Sequence, residues 1–313
     1  MSAPAPLYCQ LAEAPEHGRA FWLRAGRRRI RAAVWEGSGR GVALIFQGRS
    51  EYIEKYGRVV SALVGRGFAV ATLDWRGQGL SDRALEDPLK GHVGEFAAYQ
   101  RDVDAFLALP EIAGLPGPRV LFCHSMGGCI GMRALLDERV SPVATVMSAP
   151  MLGIEMTPML RFAAETMVAL SRRFGFESAY APAPNAKQPY VLSQPFEGNL
   201  LTGDREHFEW FVKHLEAEPG FALAGPTLRW LGSALEETEA LAMAIPPGGP
   251  MLVGLGGEEK VVSAETVRAF VARAPDCRLI EFPHARHELF VETEAVRARL
   301  WRRIDRFFRE VGI

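Results

Sequence analysis

The sequence is poor in lysine, in cysteine and in net charge. Only five of its 36 basic residues are lysine (Lys55, Lys90, Lys187, Lys213 and Lys260), and 37 acidic residues leave a formal charge of -1. Without a basic excess there is no electrostatic footprint for nucleic acid, whose binding rests on neutralising phosphates with a cationic face, so no nucleic-acid partner is expected. The one basic cluster, Arg24, Arg27, Arg28, Arg29 and Arg31, is short and runs into an apolar segment. It reads as a solvated hairpin, with a phosphate or anionic-membrane contact as the lesser alternative. The four cysteines (Cys9, Cys123, Cys129 and Cys277) show neither CxxC spacing nor framework regularity, which leaves buried free thiols as their reading. No window reaches the roughly 18 uncharged apolar residues of a membrane-spanning helix. Residues 1–20 lack the basic start and apolar stretch of a secretory signal. A cytoplasmic location is the expectation.

What is present fits an ordinary folded chain. At 48% hydrophobic and 23% charged, 313 residues are enough for a sizeable core and for about two domains. Short runs rich in Val, Ile, Leu and Phe recur at 29–35, 42–48, 68–75, 119–125, 143–148, 251–256 and 278–282. Between them lie segments with helical spacing at 52–65, 96–109, 127–137, 264–274 and 291–308. That alternation predicts an α/β protein, a mostly parallel central sheet with helices on both faces. The rhythm stops between Leu152 and Gly248. There an amphipathic helix with Met159, Leu160, Ala163, Met167 and Leu170 on one stripe ends at Gly175. A proline-studded stretch follows, and then a polar helix near 205–215 opened by Thr202 or Asp204. The expected organisation is a discontinuous core, 1–151 and 249–313, interrupted by a helical cap, 152–248.

Chemistry concentrates at the ends of the predicted strands. In Val120-Leu-Phe-Cys-His-Ser125-Met-Gly127-Gly-Cys, a strand meets a helix at a serine, the arrangement of a nucleophile elbow. The tight turn demands small neighbours two residues to either side; Gly127 meets this, while Cys123 stands where the G-x-S-x-G pattern has glycine. A serine nucleophile needs a base, and the base an orienting carboxylate, both from carboxyl ends of strands. Glu258 and Glu259 follow one strand, and His284 and His287 follow the next, so the chain order is serine, acid, histidine. No third ligand accompanies the two histidines, so neither a metal site nor a cofactor is expected.

Four motifs taken together, Gln47-Gly48-Arg49-Ser50-Glu51, Asp74-Trp-Arg76-Gly77-Gln-Gly79-Leu-Ser81, His124-Ser125-Met126-Gly127-Gly128 and His287-Glu-Leu, resemble the serine hydrolases of the α/β-hydrolase fold. More narrowly, they resemble the monoacylglycerol lipase and lysophospholipase L2 group. The resemblance spans about Arg29 to Phe308. It implies hydrolysis of a carboxylic ester on a single-chain lipid, through an acyl-serine intermediate and without a metal. Residue by residue, it implies Ser125 as nucleophile, His287 as base and Glu259 as the acid, with Glu258 as the alternative where the family usually has aspartate. It implies backbone N–H groups of Arg49 and Met126 as oxyanion donors, each worth roughly 3–4 kcal/mol of transition-state stabilisation. The family's oxyanion loop opens His-Gly; this chain has Gln47-Gly48. Met156, Met159, Phe162 and Met167 are candidates for an acyl groove, with packing within the cap as the equal alternative for such a Met-rich face. The cap's apolar face and Arg172-Arg173 suggest peripheral contact with the inner membrane face. A broad-specificity carboxylesterase is the alternative within the class, and a non-catalytic ligand-binding protein of the same fold the alternative outside it.

Overall fold

The computed structural model describes residues 2–313. The apolar runs form one nine-stranded sheet of β1 (Ala3–Pro4), β2 (Arg19–Ala25), β3 (Arg28–Trp35), β4 (Gly41–Phe46), β5 (Phe68–Asp74), β6 (Arg119–His124), β7 (Ala144–Ser148), β8 (Met251–Gly256) and β9 (Cys277–Phe282). Their spatial order is 1-2-3-5-4-6-7-8-9. From β1 through β3 to β5 the pairing is antiparallel, and from β5 through β4, β6, β7 and β8 to β9 it is parallel. All the expected strands are present. The additional β1 and β2 lie at the amino-terminal edge, where β2 closes a hairpin with β3.

The longer helices are α1 (Gly57–Val64), α2 (Ala97–Leu107), α3 (Met126–Leu136), α4 (Pro158–Phe174), α5 (Arg205–Ala217), α6 (Leu228–Met243), α7 (Ala264–Arg273) and α8 (Glu294–Glu310). Because successive strand residues face opposite sides, β4 splits its side chains between two cores. Leu44 and Phe46 join one with α2, α3, α6 and α7, while Ala43 and Ile45 join the other with α1 and α8. Strands covered on both faces have no need of polar alternation, which is why they read as continuous apolar runs. Of the cysteines, Cys123 and Cys129 are buried, Cys9 and Cys277 are partly buried, and all are free thiols.

The basic cluster is not uniformly solvated. Arg31 is fully buried: its Nε donates to Asp74 at 2.8 Å and its two Nη groups donate to Glu54 at 2.9 and 2.6 Å. Its partners lie 23 and 43 residues further along the chain, beyond the reach of any local pattern. Asp74 also accepts from the backbone N–H groups of Ile53 and Leu80, and Ser81 donates to the Asp74 carbonyl, so this set braces the loop after β5.

Between β7 and β8 the chain leaves the sheet. Thr157 caps α4 by accepting from the N–H of Leu160, and Gly175, at φ 76°, ends it in the left-handed conformation. Asp204 caps α5 in the same way. One side of α4 packs Val168 against Leu231 and Leu235 of α6. Helix α6 lies within the 152–248 interval, yet it also sends Trp230, Ala234 and Leu241 into the sheet-side core. The interval therefore has two parts, a segment off the sheet and a helix that covers it. The remaining stripe of α4 faces outward, with Met159, Phe162 and Phe174 each more than two-thirds exposed.

Candidate active site

Parallel pairing puts the carboxyl ends of β4, β6, β8 and β9 along one edge, with Phe46 opposite Cys123 and Gly256 opposite Phe282. Each strand releases one piece of the site there. Ser125 follows β6 directly at φ 50° and ψ -119°, a conformation that costs a non-glycine residue roughly 1–3 kcal/mol. Its backbone is held in place from outside: the Ser125 N–H donates to the Ser148 carbonyl at 3.1 Å, and the N–H of Met151 donates to the Ser125 carbonyl at 2.8 Å. The elbow closes only because Gly127 has no side chain; a Cβ there would meet the Phe46 carbonyl oxygen at 2.0 Å. The thiol of Cys123, in the place of the usual glycine, fits because Gly131 is equally bare, where a Cβ would approach Sγ to 2.5 Å.

The loops after β8 and β9 meet at a carboxylate and an imidazole. Oε2 of Glu259 lies 2.8 Å from Nδ1 of His287, and both side chains are almost wholly buried. Burial opposes ionisation of Glu259, but the bond from His287 and the N–H groups of Val261 and Val262 outweigh it and hold the carboxyl below its ordinary range. A carboxylate on Nδ1 fixes the proton there and leaves Nε2 as the basic nitrogen. Glu258 does not share this position: its half-exposed side chain lies 3.9 Å from Arg286. His287 and Glu288 also donate backbone N–H groups to the carbonyls of Leu200 and Leu201, so the off-sheet segment rests on the base loop.

After β4, Gln47–Ser50 forms a loop braced by its neighbours. Trp75 Nε1 donates to the Gln47 carbonyl at 2.9 Å, Gln78 Nε2 donates to the Gly48 carbonyl at 3.0 Å, and the Gly48 N–H donates to Glu51. The side chain of Gln47 turns away to Thr72, donating at 3.0 Å, so replacing the family's histidine leaves the loop's backbone donors untouched. Among the described residues, neither the N–H of Arg49 nor that of Met126 has an acceptor. Arg49 lies in the loop after β4, while Met126 directly follows Ser125 and opens α3, where free N–H groups and the helix dipole favour negative charge.

Beneath these loops is a buried ionic cluster that the sequence reading did not single out. Lys55 Nζ lies 2.7 Å from Glu51 and 2.8 Å from Glu288. His124, adjacent to Ser125, has its ring centroid 4.8 Å from that of His287 with the planes tilted by 53°, and burial drives it to a pKa of about 4, so it is neutral at pH 7. Glu51, His124 and Glu288 converge within 4.8 Å, a spacing that suits a metal ion, but the Lys55 ammonium already serves the two carboxylates as their cation. The local signals were a Glu-x-x-x-Lys pair after the glycine turn and an acid directly after the base histidine. Nothing in the spacing joins the two halves.

The remaining histidines and the groove candidates fall elsewhere. His92 bonds Thr227 at 2.9 Å and supports the off-sheet segment, whereas His284 is exposed and stands outside the site. The four candidates for an acyl groove are split. Met159 and Phe162 are 83% and 72% exposed on the outer stripe of α4 with Met167 at its margin, and Met156 packs into the apolar cluster beneath. They do not line one groove, because the stripe that helical spacing reveals faces away from the protein.

The sheet order, the strained elbow and the carboxylate–imidazole pair define an α/β-hydrolase of the serine type. Residues 37–294 match the family described as serine aminopeptidase, S33, and the chain belongs to it. Over 278 residues, 85% of this chain and 80% of the other, it is 31% identical to lysophospholipase L2 of Escherichia coli. It is 25% identical over 275 residues to the monoacylglycerol lipase of Mycolicibacterium smegmatis, covering 86% of this chain and 89% of that one. In fold it resembles a soluble variant of monoglyceride lipase from Saccharomyces cerevisiae, with a TM-score of 0.74, 18% identity and 99% of both chains covered. Among the described residues no helix is long and apolar enough to cross a membrane.

Proposed function

We propose that the protein hydrolyses the carboxylic ester of a single-chain lipid, a lysophospholipid or a monoacylglycerol, through an acyl-serine intermediate. Ser125 attacks the ester carbonyl while Nε2 of His287 takes its proton, and the oxyanion settles between the N–H groups of Arg49 and Met126. His287 then protonates the leaving alcohol, and water repeats the sequence on the acyl-enzyme. Glu259 stays ionised, fixing the tautomer and stabilising the imidazolium. The observation that carries this reading is the 2.8 Å contact between Glu259 and His287 on the edge where Ser125 is held at a positive φ.

The cap, the off-sheet segment with α4 and α5, supplies the lipid side of the reading. The outer stripe of α4 presents Met159, Leu160, Phe162 and Phe174, with Arg172 and Arg173 at its end. Apolar side chains beside arginines suit the surface of an anionic bilayer, from which a single-chain lipid must be drawn.

The test begins with fluorophosphonate labelling, followed by turnover of lysophospholipids, monoacylglycerols and short p-nitrophenyl esters. The proposal expects labelling at Ser125 and a higher kcat/KM for at least one single-chain lipid than for the short esters. Turnover of short esters alone would retain the chemistry and remove the lipid assignment in favour of a broad carboxylesterase. An unlabelled chain with no turnover would leave the non-catalytic alternative.

A further inference from the structure

Lys55 occupies an unusual place. It sits in the short helical turn Ile53–Tyr56 that follows the oxyanion loop, and its ammonium has three protons and three neighbours. Those neighbours are Glu51 at 2.7 Å, Glu288 at 2.8 Å, and the ring of Phe211 from α5, whose centroid is 4.3 Å away. The other oxygen of Glu51 accepts from the Gly48 N–H and from the Tyr56 hydroxyl. Glu288 is the residue after His287. One side chain thus links the loop that presents the Arg49 N–H to the loop that carries the base, residues 233 positions apart in sequence from Lys55 to Glu288.

We infer that Lys55 is a positioning residue for the reaction, holding the oxyanion loop and the base loop in fixed relation beneath Ser125. Stability alone is a poor reason for the cluster, since buried ion pairs are often replaced by apolar residues at no cost. What apolar residues could not supply is direction. Glu51 aims its carboxylate at the peptide of the oxyanion loop only while its other oxygen is held by the ammonium. Glu288 is held by the same ammonium at one end and, through its backbone N–H, by Leu201 of the cap at the other. Phe211 closes the third side, so the cap, the base loop and the oxyanion loop share one charged contact.

The test is the kinetics of Lys55→Met on p-nitrophenyl butyrate, with rates expressed per active site titrated by fluorophosphonate and melting temperature recorded in parallel. Positioning acts on the transition state, so kcat per titrated site is expected to fall on the order of 10²-fold with KM within about threefold of wild type. A purely structural role would lower the titre and the melting temperature and leave kcat per site within about twofold, which would overturn the inference. Removing a buried cation strands two carboxylates and can unfold a chain, so a second pair is measured alongside. The amide oxygen of Glu288→Gln still accepts from Lys55, whereas Glu288→Leu cannot. The leucine variant is expected to be at least about tenfold slower per site than the glutamine variant, and equal rates contradict the inference. The inference rests on the proposed roles of Ser125, His287 and the loop donors. Failure of wild type to label at Ser125 defeats those roles, while a labelled wild type with an unaltered Lys55→Met defeats this inference alone.

Discussion

The carboxyl edge of the sheet and the outer stripe of the cap are built on opposite terms. At the edge, the charged side chains near Ser125 are buried and paired: Glu259 with His287, and Glu51 and Glu288 with Lys55. On α4, large apolar side chains stand in solvent, with Met159 and Phe162 among the most exposed in the chain. At the edge, parallel pairing, close-packed glycines and paired charges hold each side chain against its partners. The cap stripe fixes no atom, and its apolar area has a use only against something else that is apolar. On the proposed reading, chemistry belongs to the sheet edge and substrate delivery to the outer stripe of α4.

The comparison is broken most severely at the edge. Glu259→Gln is expected to reduce kcat on p-nitrophenyl esters about 10⁴-fold by allowing the wrong histidine tautomer, whereas Glu258→Gln, on a half-exposed side chain, is expected to stay within about twofold. Equal losses in the two variants would move the acid. Next in size is Gly127→Ala, whose Cβ would press on the Phe46 carbonyl. It is expected to cost about 3 kcal/mol in urea unfolding, at the upper end for overpacking.

Substitutions on the cap should separate delivery from chemistry. Met159→Glu with Phe162→Glu is expected to leave short-ester turnover within about twofold and to weaken binding to anionic vesicles tenfold or more, given roughly 1.5–3 kcal/mol for each large apolar side chain buried. Vesicle flotation that is unchanged in this variant, or absent in wild type, would remove the membrane surface. The smallest effect is a matter of pH. Although burial opposes it, the Lys55 ammonium brings Glu51 to about 2, from an ordinary 4.5. Unfolding therefore takes up a proton at this group as pH falls through that interval, so its stabilisation is complete above 4.5 and is lost toward 2. Glu51→Gln is expected to reduce the proton uptake of acid unfolding by about one, measured as the slope of stability against pH.

Much of the edge was legible in the sequence because parallel strands covered on both sides must be apolar throughout, and because an elbow dictates its own glycines. The strands and the elbow serine could be read from local pattern, which left two histidines and two adjacent glutamates as candidates; the family resemblance singled out His287 and favoured Glu259 over Glu258. What could not be read was anything decided by partners distant in sequence. Arg31 looked like a surface arginine until Glu54 and Asp74 met it in the core. Helix α6 showed no single stripe because it is buried on two sides, by the sheet-side core and by α4. The apolar spacing of α4 identified a stripe without revealing that it faces solvent. Glu51 and Glu288 stood in two separate motifs and Lys55 in neither, and only folding brings the three together.

The measurement that bears most directly on the central claim is site mapping after fluorophosphonate treatment of wild type, Ser125→Ala and His287→Ala at equal folded concentration. The account predicts a single modified residue, Ser125, in wild type, no labelling in Ser125→Ala, and labelling slowed by several orders of magnitude in His287→Ala. Modification of another residue in wild type, or undiminished labelling and ester turnover in Ser125→Ala, would contradict it.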